Sequence, residues 1–359
     1  MKLFTVGPVA CYPSVLEAMG KQMMSHRSEE YLRTHYETVK YLQDFIETEN
    51  PVFLFSSTGT GFMEASVRNC VAEKMIVCVN GSFGARFAQV AEACGREVIR
   101  VTSELGDPMV PEMIKEALDL HPEAEAVAIT HNETSTGMLN DLPSLTRVVK
   151  AYDKLCFVDG VSSMGGTQIK TDEWGIDILF SSSQKCFGVP PGIGMGSVSE
   201  NALDVSAGMP DKGWYFDLKI WEKKHREGKG TPMTTAIPQV TGLNAILKMI
   251  EEMGGKKTFF DLYKKRNNWI REGIKEIGLN TFAKKGYESP TVNCIAAPED
   301  MSGPQVYEAM RGKGFELAKG YGDLKETTFR IGNMGYIPDE YFSEMLETLE
   351  KVVSNQPRT

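Results

Sequence analysis

Lys185 follows the apolar run 176–180 in Ser181-Ser182-Ser183-Gln184-Lys185-Cys186-Phe187-Gly188 and precedes a Gly/Pro-rich turn. A lysine among small and apolar neighbours is partly desolvated, which lowers its pKa and makes its amine a usable nucleophile. Standing alone, it would more simply be a surface lysine. Asp159 ends a second apolar run, 155–158, ahead of Gly160-Val161-Ser162-Ser163. A carboxylate there is costly to bury without a cationic partner, and a protonated heterocyclic nitrogen would serve. Capping the next segment would serve equally. Ser56-Ser57-Thr58-Gly59-Thr60-Gly61 follows the apolar run 52–55 and opens a helix. Small residues at a helix N-terminus let backbone N–H groups approach an anion, so this is a candidate phosphate cradle. It lacks the Gly-Lys-Ser/Thr of a P-loop and the GxGxxG fingerprint, and an ordinary strand–helix turn explains it as well. Together, a Schiff-base lysine, an acid for a pyridinium nitrogen and a phosphate cradle are what pyridoxal phosphate requires.

Two more strand ends carry polar or aromatic groups. Phe83, in Asn80-Gly81-Ser82-Phe83-Gly84, could stack on a flat ring, although core packing at a helix start is the simpler local reading. Thr130-His131-Asn132-Glu133-Thr134-Ser135-Thr136-Gly137 holds more polar residues than a turn needs. His131 could be a general base, but a lone histidine near a strand end is more often just hydrogen-bonded. Thr134 could donate to a ligand oxygen.

These residues need elements to place them. Apolar runs at 52–55, 75–79, 97–101, 126–129, 155–158 and 176–180 predict strands, and the stretches 62–72, 83–94 and 142–152 predict helices. Asp107-Pro108 reads as an N-cap with proline at N1, opening a helix toward Leu120. Strands apolar on both faces and separated by helices imply an α/β fold, with a mostly parallel sheet covered on both sides. In such sheets ligands bind beyond the carboxyl ends of the strands, where the residues above lie. The pattern changes after about residue 200. Residues 214–230, with Lys223-Lys224-His225-Arg226, read as a solvated helix. An amphipathic stretch spans 237–277, and strand–turn–helix signals follow at 290–296, 303–310, 329–331 and 338–353. The division expected is an N-terminal segment near the active site (1–15), a large α/β domain (16–250) and a small α+β domain (251–359).

Composition bounds the function. The 359 residues carry a net charge of −9, and 42% are hydrophobic, enough for a sizeable core. Excess acid argues against non-specific nucleic-acid binding. Met1 to Pro8 contain no apolar signal-peptide region, and no run of about 20 apolar residues could span a membrane, so a cytoplasmic protein is the expectation. The seven cysteines, at 11, 70, 78, 94, 156, 186 and 294, form no CxxC pair. No metal site is expected from them, and buried reduced thiols are.

Eight segments recur in fixed order: Val6-Gly7-Pro8; Ser25-His26-Arg27-Ser28; Thr58-Gly59-Thr60-Gly61 with Met63-Glu64-Ala65; Asn80-Gly81-Ser82-Phe83-Gly84; Asn132-Glu133-Thr134; Asp159-Gly160-Val161-Ser162-Ser163; Ser183-Gln184-Lys185; and Phe329-Arg330-Ile331-Gly332. In this order the chain resembles, almost end to end, the class V aminotransferases of the fold-type I pyridoxal-phosphate enzymes, nearest the alanine–glyoxylate and serine–pyruvate branch. The resemblance implies that Lys185 is the Schiff-base lysine and that Asp159 pairs with the pyridine nitrogen. It places Val161 on one ring face, Phe83 on the other and Thr134 near the phenolic oxygen. It assigns the phosphate to Thr58, Gly59, Thr60 and Gln184, with Thr231 and Thr234 reaching it from the partner subunit of a homodimer. Arg330 would grip the substrate carboxylate, with Gly7 also on the substrate side. Animal members carry tryptophan at Phe83, histidine at Thr60 and tyrosine at Thr231.

The implied reaction moves an amino group from alanine or serine to glyoxylate or pyruvate in two half-reactions. One substrate arginine suits small monocarboxylates, while Arg27 keeps dicarboxylates open. A 2-aminoethylphosphonate aminotransferase is the alternative, and would need extra cations. A cysteine desulfurase needs a loop cysteine, and residues 319–329 contain none. A non-catalytic binding protein on this scaffold would typically have lost the lysine or the aspartate. A nicotinamide dehydrogenase would need the missing glycine fingerprint.

Overall fold

Seven short strands, nearly all of buried residues, pair into one sheet in the computed structural model, which describes residues 1–354. They are β1 (Val52–Phe55), β2 (Lys74–Val79), β3 (Glu97–Thr102), β4 (Ala126–Thr130), β5 (Leu155–Asp159), β6 (Ile178–Ser182) and β7 (Gly194–Val198). Their order across the sheet is β1-β7-β6-β5-β4-β2-β3. Neighbours from β6 through β3 run parallel, and β7 alone is antiparallel, to both β1 and β6. The six predicted strands are present, to within one or two residues at their ends. The exception to two-sided burial is β3, a sheet edge with Glu97, Arg100 and Thr102 exposed. The unforeseen strand is β7, whose Gly194-Met195-Gly196 has weak β-propensity; burial between two strands holds it in place.

Helices cover both faces. On one, α1 (Gly59–Cys70) and α2 (Ser82–Ala93) pack through aromatic side chains. Phe62 of α1 stacks on Phe55 at 4.1 Å and lies 5.9 Å from Phe180, and Phe87 of α2 meets Phe180 edge-on. Fully burying such a ring is worth about 1.5–3 kcal/mol, so these contacts fix the helices, and with them the loops at their N-termini. On the other face, Leu54, Ile76, Val127, Val158 and Leu179 share a core with residues of helices Glu29–Ile46 and Ile237–Glu252.

The expected helix start at Asp107-Pro108 is wrong: the helix is Pro111–Leu120, with Val110 at its N-cap and Pro111 supplying the favoured proline. The Met109 N–H is held by Asn140 Oδ1 at 2.9 Å, and Asp107 pairs instead with Lys284. The solvated helix expected in 214–230 spans only Leu218–Arg226 and buries Leu218 and Trp221. The stretch 237–277 is two helices, Ile237–Glu252 and Lys256–Glu276, broken at Gly254-Gly255, both with positive φ.

Toward the C-terminus, β8 (Val292–Ala296), β9 (Ala318–Lys319) and β10 (Thr328–Gly332) form an antiparallel sheet ordered β8-β10-β9. The chain start joins this region: Lys2–Leu3 pair with Phe315–Glu316, and the Gly332 N–H donates to the Phe4 carbonyl. All seven cysteines are unpaired, and five are buried. Among the described residues, no helix is long and apolar enough to cross a membrane, and no cluster of three His, Cys, Asp or Glu residues could hold a metal ion.

Candidate active site

The carboxyl ends of β1, β5 and β6, the start of α2 and residues 6–8 enclose a cavity of about 270 Å³. Lys185 lies just past β6, in a turn tied by Ser183, whose N–H donates to the Ile193 carbonyl and whose hydroxyl donates to the Pro190 carbonyl. The lysine is 8% exposed, and Nζ donates to the Val6 carbonyl at 2.6 Å. Gly7 presses directly on it. Its φ is +119°, and a Cβ there would sit 2.6 Å from Nζ, so only glycine fits. No carboxylate lies within ion-pair distance of Lys185 among the described residues. Burial first, and the Arg330 charge second, lower its pKa to about 8. A useful fraction of the amine is therefore neutral near physiological pH.

Asp159 ends β5 opposite Phe180 of β6 and is 3% exposed. Its Oδ1 accepts the Val161 N–H at 2.8 Å, and among the described residues no cation pairs with it. Burial raises its pKa to about 7, the Val161 N–H partly offsetting this and the Glu133 charge adding to it. A protonated ring nitrogen would supply the missing counter-charge.

At the other end of the cavity, α1 begins. Thr58 is its N-cap, yet the threonine hydroxyl does not cap the helix. The Gly59 N–H donates to Ser182 Oγ at 2.8 Å, and a Cβ on Gly59 would lie 2.5 Å from Val161 Cγ2. Thr60 and Gln184 complete this wall, and Gln184 Oε1 is buried without a protein partner. Val161 and Phe83 line the cavity with their apolar surfaces. Thr134 shares a 2.6 Å hydrogen bond with Ser162 Oγ.

Phe83 is set by a group whose role the sequence did not reveal. Glu133, fully buried, accepts the N–H groups of Phe83 and Gly84 at the start of α2, and the N–H and hydroxyl of Ser135. It thereby caps the helix that carries the aromatic ring. Glu133→Gln would turn an amide NH₂ toward these donors. A loss of about 1–3 kcal/mol in unfolding free energy is expected, measured by urea titration. An unchanged midpoint would show that the cap is dispensable.

Arg330 projects from β10. Its Nε donates to the Lys319 carbonyl at 2.9 Å and its Nη1 to the Thr134 carbonyl at 3.0 Å. No acid pairs with it among the described residues, so the outer N–H groups remain for a carboxylate.

Arg86 and Tyr321 also line the cavity. Arg86 sits one helical turn after Phe83, a spacing that could have exposed it. No sequence signal marks Tyr321. Four other candidates lie elsewhere. The Thr231 hydroxyl donates to the Met233 carbonyl within its own turn, while Thr234 is exposed; neither lines this cavity. Arg27 donates to the carbonyls of Lys229, Thr231 and Pro232, so it is spent on pinning that turn and is no second carboxylate anchor in this chain's cavity. His131 is buried outside the cavity lining, and burial lowers its pKa to about 3, so it is no general base here.

The residues present fit pyridoxal phosphate: an acid lacking a cation, a buried amine lacking an acid, two apolar walls and an unmatched amide beside a helix N-terminus. Comparisons with known proteins agree. The family model for class V aminotransferases matches residues 10–320. An uncharacterised aminotransferase of Methanocaldococcus jannaschii is 35% identical over 97% of this chain and 90% of its own. The serine–glyoxylate aminotransferase of Methylorubrum extorquens is 31% identical over 93% and 86%. The crystal structure of an alanine–glyoxylate aminotransferase from Nostoc superposes with a TM-score of 0.93 at 28% identity, covering 98% of this chain and 95% of that one. End-to-end similarity, joined to a buried lysine and a buried aspartate at the strand ends of a cavity suited to the cofactor, places this chain in the class V aminotransferase family, as a pyridoxal-phosphate-dependent transaminase.

Proposed function

We propose that the enzyme transfers the amino group of a small amino acid, alanine or serine, to glyoxylate or pyruvate by a ping-pong sequence. The observation that carries this reading is Arg330, a fixed guanidinium with free outer N–H groups in the same cavity as Lys185. The serine–glyoxylate and alanine–glyoxylate relatives support it. Pyridoxal phosphate, when bound, supplies the electron sink for the pair released at the substrate's Cα. Arg330 orients the substrate by its carboxylate. Lys185 Nζ would take the Cα proton as general base and, once protonated, deliver it to the cofactor's C4′ as general acid. Asp159 holds a negative charge opposite the ring nitrogen. Thr58, Gly59, Thr60 and Gln184 would hold the phosphate, Val161 and Phe83 would flank the ring, Thr134 would donate to its phenolic oxygen, and Gly7 would close the substrate side.

The resemblance also supports a homodimer in which Thr231 and Thr234 serve the partner's phosphate site. Unpaired thiols support a cytoplasmic location. A second reading, 2-aminoethylphosphonate as donor, rests on Arg86, a second cavity-lining cation without an acid partner among the described residues. A panel of donors against glyoxylate, pyruvate and 2-oxoglutarate separates the two, and turnover confined to the phosphonate would overturn the first.

Arg330→Lys keeps the charge but loses the planar fork. A loss of about 2–4 kcal/mol is expected, roughly 30- to 1000-fold in kcat/KM for alanine and serine, with cofactor content unchanged. A simple amine should react as before. Single-turnover loss of the cofactor's visible absorbance measures all three, and equal losses for amine and amino acids would remove Arg330 from this role.

A further inference from the structure

Tyr321 stands between Gly320 and Gly322, on the loop joining β9 to β10, and is 38% exposed. Three contacts hold its side chain. The ring stacks on Phe83, with centroids 5.8 Å apart and planes 16° from parallel. The hydroxyl accepts a hydrogen bond from Arg86 Nη2 at 2.6 Å. The Arg330 guanidinium carbon lies 5.5 Å from the ring centroid. Tyr321 therefore packs against the group that receives the substrate carboxylate.

Beyond the ring is a second cavity, of about 540 Å³, bordered by the apolar Val79, Ala85, Leu105 and Leu324 and by polar groups that include Glu104 and Asp323. Among the described residues, Tyr321 is the only one that lines both this space and the active-site cavity of about 270 Å³. The first turn of α2 and the Thr134–Ser135 backbone have neighbouring residues facing one space or the other, and Tyr321 is the part of the partition whose side chain faces both the small chamber and a volume twice as large. That side chain is held by an aromatic stack and a charge-assisted hydrogen bond.

We propose that Tyr321 is the specificity-determining wall that limits the length of the substrate side chain, with Arg86 as the positioning residue that locks it. This rests on the reading that Arg330 anchors the substrate carboxylate. With the ring in place, a methyl or hydroxymethyl group fits beside it and a longer chain meets the ring. Without the ring, the two cavities join and a longer chain gains apolar burial.

The test uses unbranched, uncharged ligands, so that length varies without charge. The cofactor-loaded wild type, Tyr321→Ala and Tyr321→Phe are titrated calorimetrically with the carboxylates from propionate to hexanoate. Single turnovers are followed with alanine, 2-aminobutyrate, norvaline and norleucine. In the wild type, affinity and rate should fall as the chain lengthens. In Tyr321→Ala, affinity should instead rise by about fourfold per added methylene. The norleucine-to-alanine rate ratio should rise at least about tenfold, the effect of one or two buried methylenes. Tyr321→Phe keeps the ring but loses the Arg86 hydrogen bond, so its length profile should fall between those of the wild type and Tyr321→Ala. A Tyr321→Ala length profile parallel to that of the wild type would overturn the proposal. That comparison is a ratio within each protein, so it stands apart from whether alanine and serine prove to be the natural donors. Failure of those donors in the substrate panel would strike the proposed reaction alone.

Discussion

Lys185→Ala is expected to reduce turnover by about 10⁴-fold or more, because one substitution removes both the covalent attachment and the acid–base group. The cavity that receives the ring and phosphate is otherwise intact, so the variant should still bind pyridoxal phosphate, now released by dialysis. Borohydride treatment of the wild type should fix the chromophore to the peptide containing Lys185, and labelling of a different lysine would refute the assignment. The lowered pKa adds a pH signature. Burial brings the Nζ pKa down from 10.5 to about 8. The amine is therefore mostly protonated and unreactive below that value, and neutral above it. The rate at which the cofactor-free protein captures pyridoxal phosphate should rise roughly tenfold per pH unit below about 8 and level off above it. An exposed lysine would give no plateau until beyond pH 10.

Asp159→Asn preserves shape and leaves an oxygen to accept the Val161 N–H, but removes the charge. A loss of at least about a hundredfold in kcat is expected, the order of one preorganised electrostatic contact. Stability should move differently. The carboxyl pKa is raised by burial from 3.8 to about 7, so the folded cofactor-free chain holds this proton more tightly than the unfolded chain does. Its contribution to stability is present at low pH and is lost as pH rises through this window. At pH 8 the cofactor-free Asn variant should therefore match or exceed the wild type in unfolding free energy, although the loaded enzyme is crippled. Urea unfolding and steady-state rates on the same preparations separate the two effects. A near-wild-type rate would mean that the ring nitrogen has another partner.

The chemistry at the strand ends was legible because a buried parallel strand is a continuous apolar run. The first polar residue after it marks the edge of the sheet where ligands bind. Asp159 after Leu155-Cys156-Phe157-Val158, Thr58-Gly59 after Val52-Phe53-Leu54-Phe55, and Lys185 beyond Ile178-Leu179-Phe180 could all be located in this way. The order of motifs then tied those residues to one cofactor. Other features have no local signature. The antiparallel β7 is glycine-rich and is a strand only because β1 and β6 flank it. The helix after Asp107-Pro108 starts later because Asn140, far along the chain, holds Met109. Arg27 carried the right charge but is consumed by carbonyls some 200 residues away. By itself the sequence determined which groups can react, since residue type and burial pattern are local properties. Only the tertiary structure decided that Val6 and Gly7 close over Lys185, that Glu133 caps the helix bearing Phe83, and that Tyr321 walls the cavity beside Arg330. Each of these contacts joins segments that no periodicity relates, and packing of the sheets and their loops alone brings them together.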